Sequence, residues 1–250
     1  MDVALNDRSA VIREYASPEG LAARGSIYAG AEGRDAKDVV LETVAEADPV
    51  DPILDVGCGP GDFADRLRTE LRLRVVAADL SPEMVRRTRS RGVEAIVADV
   101  QNLPFADASF GCVVANWMLY HVPDVDRALA EVRRVLKPGG CLVATTKSER
   151  HLGELWKLAG HPGNALLPFR TENARPRLGR YFGSVRERRV EGTVELDYAA
   201  AYAYLDAAMV WGDAAARLPR FEGTVRAMRL VSIFVCRRAG TSDALEEPSV

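Results

Sequence analysis

Short apolar runs alternate with helical patterns between residues 53 and 146, and this alternation restricts the fold more than any other feature. Each run is apolar along most of its length. Strands of that kind are buried on both faces, as in a parallel sheet covered by helices on either side. The pattern therefore predicts an α/β fold. The five runs are PILDVG (52–57), RVVAAD (74–79), EAIVAD (94–99), CVVAN (112–116) and CLVATT (141–146).

Capping signals mark the ends of two intervening helices. Ser81 is a favourable N-cap, and Pro82 after it is preferred at the first helical position. Apolar residues from Val125 to Leu136 recur at helical spacing, and the segment KPGG (137–140) ends that helix.

The remainder of the chain has weaker patterns. We predict helices within residues 1–48 and irregular structure in residues 148–189, which contain three prolines. The segments VEGTVEL (190–196) and RLVSIFVC (229–236) predict two more strands, with a helix near 199–211 between them.

The first predicted strand leads into a glycine turn. Gly57, Gly59 and Gly61 stand at alternate positions, where the absence of a side chain permits tight turns and close approach of a ligand. The dinucleotide motif has a different spacing, G-x-G-x-x-G, and seats a pyrophosphate. Here Asp55 and Asp62 flank the turn, and two carboxylates would repel a pyrophosphate. They favour a ligand with a cationic end.

Two more aspartates follow the next strands. Asp79 ends the second strand, where a carboxylate can accept hydrogen bonds from ribose hydroxyls. Asp99 ends the third strand and can accept from an adenine amine, with Val100 beside the ring. Because these strand ends share one edge of a parallel sheet, the implied ligand has an adenine, a ribose and a positive centre.

Five segments, in chain order, form a recognisable set: ILDVGCGPGDF (53–63), VVAADLSPEM (75–84), VADVQNLPFADASFGCVVAN (97–116), WMLYHVPD (117–124) and LKPGGCLVATT (136–146). With them the chain resembles the class I S-adenosylmethionine-dependent methyltransferases, in the methyltransferase domain 11 group. The resemblance implies a Rossmann-like three-layer sandwich. Its seven-stranded, mostly parallel sheet would end in an antiparallel C-terminal hairpin, and its cofactor would be S-adenosylmethionine.

The same resemblance implies a division of the chain. Residues 1–48 would form an N-terminal helical lid and residues 49–237 the methyltransferase domain, with a substrate-cap insert near 148–189. The polar residues 238–250 are expected to form a flexible tail.

Cofactor roles follow from the resemblance for residues at the ends of four strands. The glycine turn would pass beneath the methionine part, and the two aspartates would hold ribose and adenine. The end of the fourth strand would close the site. Together with Asp55, the residues are Gly57, Cys58 and Gly59 at the turn, Asp79, Leu80 and Met84 near ribose and adenine, Asp99 and Val100 at the adenine, and Asn116 and Trp117 at the closing end.

Three further residues are candidates for the reacting end of the site. In the segment LAARGSIYAG (21–30), Arg24 would meet the methionine carboxylate and Tyr28 would close over the sulfonium. An amphipathic helix that only covers the sheet explains the same segment. His121 is a candidate general base, and its alternative is a packing role in a loop.

Composition excludes several classes of function. The net charge of −3 gives no general attraction to nucleic acid or membranes, no apolar run has the length of a membrane span, and the N-terminus lacks a signal-peptide core. We therefore expect a cytoplasmic protein, either a monomer or a homodimer. The four cysteines are scattered and the three histidines lack ligand spacing, so no metal site is predicted. Cys112, Cys141 and Cys236 are expected to be reduced and buried.

We expect a methyltransferase acting on O, N or C of a small organic acceptor, with natural-product biosynthesis as one setting. Three alternatives stay open: a tRNA- or protein-directed methyltransferase, a non-methyl enzyme that transfers the aminocarboxypropyl arm or cyclises the cofactor, and a cofactor-binding protein without chemistry. The first would be favoured if the seven arginines between residues 170 and 189 formed one basic face. A nicotinamide dehydrogenase is disfavoured by the glycine spacing and by Asp99.

Overall fold

A computed structural model describes residues 7–17, 19–208 and 213–240, and its centre is a seven-stranded sheet in the order β3-β2-β1-β4-β5-β7-β6. Strands β1 to β5 are parallel, and β7 runs antiparallel to both β5 and β6. This is the predicted fold class, including the antiparallel C-terminal hairpin. The strands are β1 Ile53–Val56, β2 Val75–Asp79, β3 Glu94–Val97, β4 Phe110–Asn116, β5 Leu136–Lys147, β6 Ser184–Leu196 and β7 Val225–Arg237.

Helices precede and connect these strands. Two short 3-10 segments, Leu119–His121 and Gly163–Leu166, lie in loops. The α-helices are α1 Arg8–Glu14, α2 Glu19–Ser26, α3 Ala36–Glu46, α4 Asp62–Glu70, α5 Pro82–Ser90, α6 Val125–Val135, α7 Gly153–Leu158, α8 Thr171–Leu178, α9 Tyr198–Asp206 and α10 Ala214–Arg217.

The sheet separates two apolar cores, because successive strand residues point to opposite faces. Leu54 belongs to the core that contains the apolar face of α6, while Ile53 belongs to the core formed with α3 and α4. Both residues are fully buried. Helices thus cover both faces of the sheet, which explains why strands β1, β2 and β4 are mostly apolar.

A third core lies beyond the end of the sheet. It joins Ile27, after α2, to buried residues of α7, α9 and α10 and to the end of β6. Trp156 and Tyr204 meet there edge to face, with ring centroids 6.1 Å apart. This core forms one wall of the site described below.

Most element boundaries agree with the sequence patterns. Ser81 caps α5, accepting a hydrogen bond from the backbone N–H of Met84 at 3.4 Å, and Pro82 is its first residue. Helix α6 ends at Val135, directly before β5. The segment 137–140 forms the irregular first part of that strand, where the register with β4 shifts.

The expectation of irregular structure in residues 148–189 is wrong. This region contains α7, α8 and the start of β6, and Pro176 lies inside α8. Both helices have at most eight residues, so tertiary packing of buried side chains such as Trp156 and Leu178 stabilises them, instead of a periodic pattern. Strand β6 begins at Ser184, six residues before the predicted start, and it is the edge strand of the sheet, where charged residues are tolerated.

The three N-terminal helices have different environments. Helices α1 and α2 contribute Arg8, Val11 and Leu21 to the wall of a large cavity, whereas α3 packs on the sheet through Val40 and Val44. The prediction that residues 1–48 form a lid therefore stays a proposal, and α1 and α2 are the helices that support it. Of the expected tail, residues 241–250 lie outside the described part of the chain. In the described ranges, no helix combines the length and apolar character needed to cross a bilayer.

Substituting Gly111→Ala is expected to lower the free energy of unfolding by about 1–3 kcal/mol, because overpacking displaces neighbouring backbone. A Cβ at Gly111 would lie 1.8 Å from the carbonyl oxygen of Val50. Urea denaturation measures the change. The matched control is Gly153→Ala, where an added Cβ meets no atom within 4 Å. Equal stabilities of the two variants would contradict the close contact.

Candidate functional site

A cavity of about 460 Å³ opens at the carboxyl ends of β1, β2, β4 and β5. It lies where the strand order reverses on either side of β1, the position at which open α/β sheets bind ligands. The candidate residues of the sequence line this cavity, with the exception of Met84.

The glycine turn forms the floor of the cavity. Gly57 and Gly59 have φ values of +65° and +55°, a conformation that glycine adopts without strain. A Cβ at Gly57 would lie 2.7 Å from the Cβ of Met118. Above Gly59 the nearest described atom that a Cβ would meet is the Cδ2 of Leu21, at 3.7 Å. A ligand can therefore lie directly on the backbone at Gly59.

Asp79 holds this turn in place. Its carboxylate accepts hydrogen bonds from the backbone N–H of Gly59 at 2.9 Å and of Ser81 at 2.8 Å. Burial raises the pKa of Asp79, against the lowering effect of these backbone donors. Each carboxylate oxygen keeps a further lone pair, so the group can still accept ribose hydroxyls.

Asp55 lies beneath the turn and has little contact with solvent, at 2% exposure. Its Oδ2 is buried and has no hydrogen-bond partner among the described residues. Burial, with the nearby charge of Asp79, raises the pKa of Asp55 to about 8. A cation bound in the cavity would favour the ionised form.

Asp99 lies at the far end of the cavity, beyond Asp79. Its Oδ1 accepts from the backbone N–H of Gln101 at 2.9 Å and from the side-chain amide at 3.0 Å. Arg8 of α1 approaches its Oδ2 at 3.8 Å. The apolar side chains of Leu80 and Val100 lie in the same part of the wall, which suits a flat aromatic base.

Met84, expected near the adenine, is instead fully buried and does not contribute to the cavity wall. It lies in the first turn of α5, three residues after the Ser81 cap, where the helix turns its side chain into the interior. We therefore do not propose Met84 as a cofactor contact.

The end of β4 forms the next part of the wall. Asn116 Oδ1 accepts a hydrogen bond from Thr145 Oγ1 at 2.8 Å, while its buried Nδ2 has no partner in the described structure. Trp117 follows with φ at +51°, unusual for a non-glycine residue, and its backbone N–H donates to the Thr145 carbonyl at 3.0 Å. Strained residues of this kind persist where neighbouring bonds over-determine them, often at functional sites.

The N-terminal helices contact the reacting end of the cavity through aromatic–histidine pairs. The Tyr15 hydroxyl lies 3.1 Å from His121 Nε2, and the Tyr28 hydroxyl lies 2.9 Å from His151 Nε2. Burial raises the pKa of Tyr28 well above its ordinary value, so the phenol stays protonated at neutral pH.

Arg24 donates through Nη1 to Glu14 and to the Ala207 carbonyl. Its Nη2 is buried in the cavity wall without a hydrogen-bond partner among the described residues. A buried guanidinium with a free donor suits a carboxylate ligand.

Sequence analysis did not single out several polar residues of the cavity wall, among them four that matter below. They come from the C-cap of α1, the end of β5, the loop after it and β7, so no local motif contains them. The sequence did contain a signal for Lys147. It ends the buried strand segment ATTK (144–147), and the carboxyl ends of parallel strands form the edge of the sheet where ligands bind. The four residues are Tyr15, Lys147, His151 and Arg229.

Comparison with known proteins gives a family. Residues 54–144 match the family model described as "Methyltransferase domain". The malonyl-[acyl-carrier protein] O-methyltransferase of Pseudescherichia vulneris is 35% identical over 124 residues, 49% of this chain and 49% of its own. The ubiquinone/menaquinone biosynthesis C-methyltransferase UbiE of Desulfotalea psychrophila is 40% identical over 101 residues, 37% of this chain and 41% of its own. The chain thus spans about half the length, or less, of the curated relatives it matches.

A solved structure shares the fold. Phosphoethanolamine N-methyltransferase 2 of Haemonchus contortus, in complex with phosphomonomethylethanolamine and S-adenosylhomocysteine, superposes with a TM-score of 0.62 at 17% identity. The match covers 95% of this chain and 61% of that one.

The strand order, the glycine turn and the row of carboxylates define a nucleoside-binding α/β domain of the methyltransferase type. Over residues 54–144, where the family model matches, the chain carries a class I S-adenosylmethionine-dependent methyltransferase domain. The cavity fits that cofactor, since it offers a bare backbone at Gly59 and unpaired buried polar atoms on Asp55 and Asn116.

Asp55 is expected to contribute a loss of stability of up to about 1.4 kcal/mol per pH unit as pH rises from about 4 to about 8. His151, with its pKa lowered to about 3, contributes the opposite slope below about pH 6.5, so the net fall is expected between about 6.5 and 8. The folded pKa of Asp55, about 8, exceeds its unfolded value, so the native state binds the extra proton throughout this interval. Asp55→Asn removes this loss, and its stability relative to wild type should increase with pH. Urea denaturation across the interval tests this.

The control for this pH series is Asp107→Asn, which removes one negative charge outside the cavity, at a side chain that is 77% exposed. The free energy of unfolding of this variant should change with pH in the same way as that of wild type. A wild-type profile parallel to that of Asp55→Asn would contradict the protonated state of Asp55.

Proposed function

We propose that this protein is an S-adenosylmethionine-dependent methyltransferase that acts on O, N or C of a small organic acceptor. The observation that carries the proposal is one continuous cavity with two chemically different halves. One half has the glycine turn and the carboxylates, and the other is lined by Tyr28, Tyr120 and Trp156. Such a cavity can hold a donor and an acceptor side by side.

The first half would bind the cofactor. Asp79 and Asp99 accept hydrogen bonds from the ribose and the adenine, and the free donor of Arg24 binds the methionine carboxylate. Asn116 directs its unpaired amide into the same space. When bound, S-adenosylmethionine supplies an activated methyl group on a sulfonium.

The second half would align the acceptor and exclude water. Tyr28, which follows α2, lines it, and Tyr120 and Tyr204 are buried in its wall. Positioning a nucleophile close to the methyl group supplies much of the rate of such a transfer. The Tyr28 hydroxyl is held in this half by His151. His121, held by Tyr15, stays the candidate general base.

A small acceptor is favoured over RNA because the arginine-rich segment does not present an unpaired basic face. Most of its arginines form ion pairs with nearby carboxylates, and Arg175 donates to the Val185 carbonyl at 2.8 Å. Surface pairs of this kind are typical of a solvated exterior. The paired arginines are Arg170, Arg177, Arg180, Arg188 and Arg189.

Calorimetric titration is expected to give binding of S-adenosylmethionine and S-adenosylhomocysteine and no heat with NAD. Asp79→Asn should weaken binding of both sulfur compounds by about tenfold or more, because the amide replaces a charge-assisted acceptor at the ribose. Turnover with an acceptor panel, followed by product mass, separates methyl transfer from transfer of the aminocarboxypropyl arm and from cyclisation.

Asp107→Asn serves again as the matched control and should bind the cofactor as wild type does, since its carboxylate lies outside the cavity. Urea denaturation of Asp79→Asn accompanies the titration, because Asp79 also holds the glycine turn. Unchanged affinity in a folded Asp79→Asn variant would overturn the ribose assignment, and binding of NAD alone would overturn the proposed function.

A further inference from the structure

We propose that the acceptor carries an anionic group, a carboxylate or a phosphate, and that this group binds between Lys147 and Arg229 in the second half of the cavity. This inference rests on the proposed function, because it names the chemical class of the acceptor at that same site. It is argued from the two cations, from the distribution of charge along the cavity and from the neutral groups between them.

Lys147 is the last residue of β5, at the carboxyl edge of the sheet, and its side chain lies in the cavity wall. Its Nζ lies 5.6 Å from the centre of the Tyr120 ring, a cation–π contact. Among the described residues, no carboxylate forms an ion pair with this amine and no acceptor forms a hydrogen bond with it. Burial, together with the charge of Arg24, lowers the pKa of Lys147 to about 8.

Arg229 lies on β7 and is only 7% exposed. One of its terminal nitrogens, Nη2, donates to the Arg34 carbonyl at 2.6 Å, and its Cζ lies 5.8 Å from the centre of the Tyr28 ring. Its buried Nε has no hydrogen-bond partner in the described part of the chain, and no carboxylate there pairs with it. A buried cation without a counter-charge is costly, so the site gains from an anion.

Charge is distributed unequally along the cavity. Four carboxylates that line it belong to the glycine turn and to the ends of β1, β2 and β3, around the first half, and a fifth, that of Asp35, caps α3 beside Arg34, whose carbonyl accepts from Arg229. The wall formed by the end of β5, the loop after it and β7 contributes Lys147, His151 and Arg229 and, within the described residues, no carboxylate. The second half therefore attracts an anion while the first half attracts the cationic cofactor.

His151 lies between the two cations. Burial, with the charges of Lys147 and Arg229, lowers the pKa of His151 to about 3, so it is neutral at physiological pH. Its Nδ1 is within hydrogen-bond distance of Leu230, and its Nε2 lies against the Tyr28 hydroxyl. His151 therefore adds no charge to the subsite and holds Tyr28 at its edge.

The main competing occupant is the methionine carboxylate of the cofactor itself. Arg24 has its own unpaired nitrogen for that group, so Lys147 and Arg229 are available for a second anion. The two assignments give opposite results when Lys147 is neutralised. Loss of cofactor affinity would assign Lys147 to the cofactor, and loss of acceptor-site affinity would assign it to the acceptor.

Binding of small anions to the wild-type complex with S-adenosylhomocysteine tests the inference without turnover. Benzoate and phenyl phosphate are compared with the neutral benzamide by ligand-detected NMR and calorimetry. We expect at least one of the anions to bind about tenfold or more tightly than benzamide, the size of one charge-assisted contact. Lys147→Gln and Arg229→Gln should each remove most of this difference while leaving affinity for S-adenosylhomocysteine unchanged.

Matched controls remove the same charges outside the cavity. Lys157→Gln on α7 and Arg226→Gln on β7 alter exposed side chains and should keep the preference for anions. Equal binding of anions and benzamide, binding of neither, or an effect of the Lys147 variant on the cofactor alone would overturn the inference.

The same experiment separates the two proposals. Failure of wild type to bind S-adenosylhomocysteine would contradict the proposed function, and the comparison of anions with benzamide on the free protein would then still decide the anion subsite. Because that comparison needs no variant, it decides the question even if Arg229→Gln does not fold.

Discussion

The hydrogen bond from the Gly59 backbone N–H to the Asp79 carboxylate is the contact on which the rest of the site depends. It ties the turn after β1 to the end of β2, and a second bond, from the Gly57 N–H to the Ala78 carbonyl at 2.7 Å, reinforces the link. The bare backbone of the turn is thereby held as the cavity floor. Asp55 is buried beneath this floor, which is why its pKa is raised.

Opposite charges in the two halves of the cavity connect fold and function. The carboxylates follow from the parallel strands, whose ends meet at one edge, whereas the cations come from the antiparallel part of the sheet and its neighbours. Strand β7 inserts between β5 and β6 and brings Arg229 towards Lys147. The charges would thus direct the cationic methyl donor to the first half and an anionic acceptor to the second half, in addition to any selection by shape.

Patterns in the sequence predicted the elements with strong local signals. The parallel strands and the Ser81 cap are confirmed because burial on both faces and cap chemistry act within a few residues. The helices within residues 148–189 were not predicted because they lack such local signals. Its helices are short, and their stability derives from contacts such as that of Trp156 with Tyr204, which is distant in sequence.

The sequence alone determined the parallel strands at the centre of the fold and the carboxylate half of the cavity, because each of those carboxylates lies in or next to the end of its own strand. Only the tertiary structure decided the other half. Lys147, His151 and Arg229 come from separate elements, and the register of β7 against β5 brings them together. It also decided that Met84 is interior, since the direction of a helical side chain depends on what the helix packs against.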